Sequence, residues 1–328
     1  LLISAGMKER TVPFKNMNLF SGAMSLSNNA RPIPQVEVGF TDFITIPATH
    51  NWMHLRAGGY YGYFFDNKSN IKKAGDGNYP QNVWYHQKYI YVKIEKQKPW
   101  NAIIGLEMGT QFGGSFYVDK QIVASSPVKL GDFLRVLVPM AGGSGSSVTY
   151  QVNILGNVYG SYHLIFNYEF DNLSAKVYHE HFFEDHSGMV FKNIPDGIYG
   201  IDLSLKKKSP LSNLVIEYIH TKNQSGPFLW DKTEEIPNQV SAGDNYYNHA
   251  EFISLSNYGF TIGSPLLTSP IYNNGKSLMV KNSRITALHV GVGGNISDEI
   301  DYRLLFTYSR SWGASFLPTT NIKSQRST

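Results

Sequence analysis

Residues 101–112 read NAIIGLEMGTQF, and the beat of that stretch decides the fold. Ala102, Ile104, Leu106 and Met108 are apolar, while Asn101, Gly105, Glu107, Gly109 and Gln111 between them are polar or tiny. Successive side chains of a strand point to opposite faces, so this segment has one greasy face and one wet one. The beat returns at 198–206, where Tyr199, Ile201, Leu203 and Leu205 alternate with Gly200, Asp202, Ser204 and Lys206. It returns again at 302–309, where Tyr302, Leu304, Phe306 and Tyr308 share one face. Many such strands build either a sandwich, whose wet face meets solvent, or a membrane barrel, whose wet face lines the lumen.

Composition leans toward the barrel. The 328 residues suit one large barrel better than one sandwich. Charged residues make up 16% of the chain, against roughly 25% in ordinary soluble domains. Aromatic residues make up 14%, and a barrel uses them at its two membrane interfaces. The mean hydropathy of −0.25 would argue for a soluble protein if the chain were helical, but lumen residues average a barrel's apolar face away. No apolar run reaches the ~18 residues of a membrane helix. With no cysteine, disulfide frameworks and thiolate metal sites are excluded. A net charge of +4 is too mild to imply nucleic acid. Lys206-Lys207-Lys208, before Ser209-Pro210, reads as a solvated or headgroup-facing turn.

Candidate strands fall at 34–46, 53–65, 83–95, 101–111, 148–159, 161–170, 175–183, 198–206, 213–222, 277–281, 284–293 and 301–312. Turns are expected at Asp171-Asn172 and around Gly293-Gly294-Asn295 with Ser297-Asp298. Residues 142–147 (GGSGSS) read as a flexible loop. Residues 129–140 break the rhythm: Leu130, Phe133, Leu134, Leu137 and Val138 form a helical stripe ended by Pro139. Residues 224–275 form a long irregular segment whose aromatic content argues against disorder. The opening at Leu1 and the polar residues 319–328 suggest one domain, 1–328, that is an internal piece of a longer protein lacking its N- and C-terminal parts.

A series of motifs resembles the capsule assembly Wzi family, in its Bacteroidetes branch. Ser21-Gly22-Ala23-Met24 is followed by Ser27-Asn28-Asn29-Ala30-Arg31-Pro32-Ile33-Pro34-Gln35. Trp84-Tyr85-His86-Gln87-Lys88 comes next, then Gly105-Leu106-Glu107 through Gln111-Phe112-Gly113-Gly114, with Phe112 in place of the family's usual Trp. His181-Phe182-Phe183-Glu184-Asp185-His186-Ser187-Gly188-Met189, Asp196-Gly197-Ile198-Tyr199-Gly200, Asp244-Asn245-Tyr246-Tyr247-Asn248-His249 and Ile262-Gly263-Ser264-Pro265-Leu266 follow in the family's order.

The resemblance implies an all-β, antiparallel transmembrane β-barrel in the bacterial outer membrane, with about eighteen strands in the full protein. It implies a lumen narrowed by loops and small helices, and residues 129–140 and 224–275 are the candidates here. The implied role is non-enzymatic: a lectin that binds capsular or other surface polysaccharide and helps assemble or retain it. Implied partners are that polysaccharide, outer-membrane lipid or lipopolysaccharide, and other outer-membrane proteins, with no cofactor and no nucleic acid.

Several clusters are candidate sites. His179, His181 and His186 with Glu180, Glu184 and Asp185 invite a metal reading, because His-x-His on a strand puts both imidazoles on one face. The favoured reading is a polar cluster at a strand end; a carbohydrate contact through His181, Glu184 and Asp185, a metal, and paired-carboxylate glycosidase chemistry are the alternatives. Arg31 has the shape to grip an acidic glycan, or else it braces Glu37, Glu107 or Asp202. Trp230, Asp231, Tyr246, Tyr247 and Asn248 mix rings with planar polar groups, the residue types that hold sugars, although loop packing with Asx turns is the favoured reading. Lumen-facing charge is expected from Glu37, Glu107, Asp202, Glu217 and Arg303, and it would also suit a porin or substrate channel. A hydrolase is the third class, but no Gly-x-Ser-x-Gly elbow occurs.

Overall fold

The computed structural model describes residues 1–9, 14–96, 99–140, 154–184, 186–224 and 245–327. In chain order its strands are β1 (Leu2–Met7), β2 (Pro34–Gly39), β3 (Ile44–Thr45), β4 (Met53–Tyr63), β5 (Tyr79–Gln81), β6 (Trp84–Glu95), β7 (Trp100–Phe112), β8 (Gly114–Val118), β9 (Gln121–Ser126) and β10 (Asn157–Glu169). Then come β11 (Leu173–Phe183), β12 (Gly197–Leu205), β13 (Asn213–His220), the two-residue strands β14 to β17 between 248 and 261, β18 (Ile285–Asn295), β19 (Asp301–Ala314) and β20 (Leu317–Ser327). The helices are α1 (Asn67–Ala74), α2 (Leu130–Leu137) and the single turn α3 (His186–Met189). None of the described helices is long and apolar enough to cross a membrane.

Thirteen strands form one sheet in the order β1-β2-β4-β6-β7-β10-β11-β12-β13-β18-β19-β20, with β3 beside β4. Its neighbours are antiparallel throughout, so the all-β reading holds. No closed barrel is formed among the described residues: β1 and β20 end the sheet without pairing to each other. The registers place connections 8–33, 64–83, 113–156, 184–196 and 221–284 at one end, with the tight turn 315–316. The shorter connections 40–52, 96–99, 170–172, 206–212 and 296–300 close the other end.

The alternation holds across the sheet, with the polarity of exposure reversed from that of a soluble core. The outward residues Val36, Ile90, Leu164, Val177 and Ile216 are exposed, as are Ile104 at 56% and Leu304 at 66%. The inward Glu37, Gln87, Glu107, His163, Asp202, His289 and Thr307 are buried, and Glu180 and Glu217 are fully so. Three inward tyrosines lie over directly opposed glycines: Tyr91 over Gly105, Tyr159 over Gly109 and Tyr178 over Gly200. A Cβ at those glycines would come within 2.1, 2.4 and 2.1 Å of the ring atoms, so the small residues make room for the rings.

Some details differ from the sequence reading. Residues 157–169 are one strand, β10, because Tyr159 and Ser161 continue a single register against β7, so the break expected at 160 is absent; residues 148–153 of the first expected strand, and the loop expected at 142–147, lie outside the described residues. Residues 277–281 are not a strand, and their place is fixed by Asn248 and Asn273 side chains. Gly293-Gly294-Asn295 lies inside β18, and the turn follows at 296–300. The polar residues near 319–328, where the sequence places no candidate strand, belong to β20, whose backbone pairs with β19.

The helix α2 forms where its stripe predicts, but it does not narrow the interior. It packs on the outward side of β4, β6 and β7, where Phe133 meets the rings of Tyr61, Trp84 and Phe112 edge-on. Asp132 accepts from the Lys129 backbone amide at 2.8 Å and secures the first turn. Lys88 donates to the last carbonyls, Val136 at 2.9 Å and Leu137 at 2.7 Å, where a helix leaves its acceptors unpaired. Of the predicted stripe only Phe133 turns to the sheet; Leu130, Leu134 and Leu137 are exposed.

Candidate functional site at the inner face

The inward face is covered by two stretches from the long-connection end: residues 14–33 and the described part of 221–284. Buried backbone N–H groups need acceptors, and residues 21–25 are not helical or paired in a sheet. Two inward glutamates, Glu180 and Glu217, accept from these amides, and a third, Glu107, accepts from a side-chain hydroxyl of the same stretch. Glu180 Oε1 accepts from the Met24 amide at 2.7 Å, the Ser25 amide at 3.3 Å and Ser161 Oγ at 3.1 Å. Its Oε2 pairs with Lys15 Nζ at 2.7 Å, and Lys15 also donates to the Gly22 carbonyl. Glu217 accepts from the Ser21 amide at 2.5 Å and from Tyr178 Oη at 2.6 Å. Glu107 accepts from Ser25 Oγ at 2.6 Å and from Tyr91 Oη, with His163 Nε2 3.6 Å away. His289 Nε2 faces the Leu19 carbonyl at 2.8 Å, so it carries the proton, and Nδ1 accepts from Thr307 Oγ1 at 2.7 Å.

The second stretch closes over the first. Tyr247 is fully buried, stacks on Phe182 and donates to the Met24 carbonyl, while the Ser264 amide donates to its hydroxyl. Burial pushes the Tyr247 hydroxyl well above its ordinary pKa, so it remains a donor. Tyr246 is also fully buried and donates to Asp196 Oδ2 at 2.9 Å. Asp196 gathers in addition His220 Nδ1 at 2.7 Å and the amides of Asn223 and Gln224. Asn248 donates to the Val280 carbonyl and accepts from the Val280 amide.

These placements sort the candidate residues. Tyr246 and Tyr247 are fully buried, and they and Asn248 are bonded within the protein. Trp230, Asp231 and Asp185 lie outside the described residues. Glu184 accepts from the Tyr247 amide. His181 points outward rather than into the interior, buried beside Phe191 with Nε2 3.1 Å from the Gly188 carbonyl. His179, also outward, stacks on Tyr199. Among the described residues no group of three or more His, Cys, Asp or Glu could hold a metal. Arg31 does not brace the interior carboxylates: it is exposed at the long-connection rim, its guanidinium 4.7 Å from the Tyr258 ring centroid. Lys15 pairs with Glu180, and Lys176 with Asp202.

Two cavities of some hundreds of Å³ lie on the inner face among the described residues. One of about 490 Å³ opens between residues 16–19 and the ends of β13, β18 and β19, with Asn16, Asn18, Asn213, Asn295 and Arg303 in its wall. The other, about 290 Å³, lies under β2, β4, β6 and β7 beside Arg56, Gln87 and Tyr89. Sequence reasoning missed Arg56 and Gln87, although counting by twos from Tyr60 and from Tyr85 places them on the inward face. It did place Glu37, Glu107, Asp202, Glu217 and Arg303 on one face, and the registers agree.

The family model described as capsule assembly protein Wzi matches residues 19–268. Neither the curated proteins nor the solved structures yielded a match. The matched span begins inside the stretch that the three glutamates hold and runs past the tyrosines that close over it, covering well over half of the sequence. The chain belongs to the capsule assembly protein Wzi family.

Proposed function

We propose that this protein sits in the bacterial outer membrane as a β-barrel, binds capsular or other surface polysaccharide without chemical turnover, and keeps it on the cell. The observation that carries the reading is the reversed burial: the sheet leaves its apolar face exposed and encloses its charged one. Water penalises an apolar face of that extent, whereas a bilayer favours it. Lipid also admits no open sheet edge, so the reading requires β1 and β20 to be joined, directly or through further strands. The contrast between long connections at one end and short turns at the other matches outer-membrane barrels, whose long loops face the outside. On that orientation Arg31 and Tyr258 stand at the outward rim, where glycan arrives.

Family membership supports the capsule role. The filled interior favours a binding protein over an open channel. The commitment of Glu180 and Glu217 to backbone amides, Lys15 and Tyr178, and of Glu107 to the Ser25 and Tyr91 hydroxyls, leaves them poorly placed for hydrolysis. The test is a deletion strain with normal polysaccharide output, scored for cell-bound against shed polymer. Polymer lost to the medium supports retention; polymer still attached overturns it. Single-channel recording on purified protein adds a second check, and near silence is the expected result.

A further inference from the structure

We propose that the cavity beside Arg56 is a sugar subsite that takes one neutral pyranose residue of the glycan. The proposal rests on the polysaccharide-binding reading above and locates part of that binding inside the sheet rather than at the loops.

Arg56 projects inward from β4, and its guanidinium lies 5.8 Å from the Phe14 ring centroid and 5.6 Å from that of Tyr89. Its Nε is buried and has no hydrogen-bond partner. That buried Nε is costly to leave unpaired, and the remainder of the half-buried Arg56 side chain lines the cavity, where its guanidinium is a donor that a ligand acceptor would satisfy. Gln87 stands on the neighbouring strand. Its Oε1 accepts from Tyr60 Oη at 2.6 Å and from Tyr85 Oη at 2.8 Å. Both lone pairs are thereby filled, so a newcomer meets only the amide's donors. Glu37 supplies a carboxylate, which only accepts, and Tyr60, Tyr89 and Tyr91 supply rings.

Donors on one pair of residues, an acceptor on another and several ring faces are the complement of a pyranose. Its vicinal hydroxyls both give and take hydrogen bonds, and its C–H faces lie on rings. The volume of about 290 Å³ stands at the lower end of ligand sites, about 300–1,000 Å³, which suits one sugar residue. Charge selects among sugars. Lys8 and Arg56 share the wall with Glu9, Glu37 and Glu107. With two cationic and three acidic side chains in its wall the cavity is not cationic, and it favours a neutral residue over a uronate.

The experiment is saturation-transfer NMR on the full chain in detergent micelles, with methyl α-glucoside, methyl α-galactoside, methyl α-mannoside and sodium glucuronate as probes. At least one neutral hexoside should bind, and more tightly than glucuronate. Arg56→Gln should weaken that binding at least about tenfold, as loss of a charge-assisted donor does, and Arg56→Lys should not restore it, because a point charge lacks the planar fork. Tyr89→Leu is the second variant should Arg56→Gln fail to fold, and it should weaken the same probe. The inference is overturned if no neutral hexoside binds, if glucuronate binds best, or if folded variants bind like the parent chain. The two readings fail separately. A deletion strain that sheds polymer while the purified chain ignores every hexoside would leave retention standing and remove the cavity. A deletion strain that keeps its polymer while Arg56-dependent binding persists would do the reverse.

Discussion

Along β7, Ile104 is exposed while Glu107, on the other face, is buried and bonded to Ser25 and Tyr91. The same strand thus does opposite things on its two sides. Outward it exposes apolar side chains along its middle and meets α2 only at its end, where Phe112 packs on Phe133; inward its carboxylate takes the hydroxyl protons of a crossing chain and of a neighbouring strand. The comparison teaches that hydropathy and burial are separable: what is buried here is what hydrogen bonds can satisfy.

The comparison is broken most severely at the Lys15–Glu180 pair. Lys15→Met leaves a buried carboxylate without its cation and should cost about 3–5 kcal/mol in denaturant unfolding of the protein in micelles. Lys15→Met with Glu180→Gln should recover part of that loss, and an additive double variant would mean the pair is not coupled. The outward face is tested by Ile104→Arg. If that face meets lipid, the charge should cost about 2–4 kcal/mol near the midplane of a lipid-reconstituted barrel; if it meets water, the change should stay within about 0.5 kcal/mol. Tyr247→Phe removes the hydroxyl shared by the Met24 carbonyl and the Ser264 amide, and should cost about 1–3 kcal/mol with the same unfolding readout.

The smallest effect concerns acid. Burial lowers the His249 pKa to about 4, and its Nδ1 accepts from the Glu251 and Phe252 amides. The folded state therefore favours neutral His249, so its contribution is complete above the ordinary value of 6.5 and is lost as pH falls toward 4. A pH series of unfolding midpoints should dip across that window, and His249→Gln should flatten the dip.

Much of the sheet was legible because period two is a strong signal wherever one face is uniform. Residues 101–112, 198–206 and 301–312 announced β7, β12 and β19 with the correct faces. Residues 157–169 were cut in two because Gly160 interrupts the pattern, although its missing side chain accommodates the Phe183 ring from β11. β1 and β20 were missed, since their register comes from neighbours rather than from their own alternation. The interior was legible as charge but not as partnership. No local pattern says that Lys15 meets Glu180, or that Tyr247 closes on Met24. Tyr246 and Tyr247 looked like sugar-holding rings because rings for packing and rings for ligands are written with the same letters. Arg31 kept its candidacy through its exposed position, which sequence alone did not supply.

His289 holds the Leu19 carbonyl across most of the length of the chain, and Glu217 holds the Ser21 amide. A contact between residues so distant in sequence forms only after the intervening strands have found their neighbours, and loop closure makes such contacts late. Residues 14–33 emerge early and must wait. Until β18 arrives, the glutamates that will receive them face water, and the half-built sheet has no dry interior. Assembly should accordingly finish with the sealing of the centre, a slow step distinct from the zipping of strands.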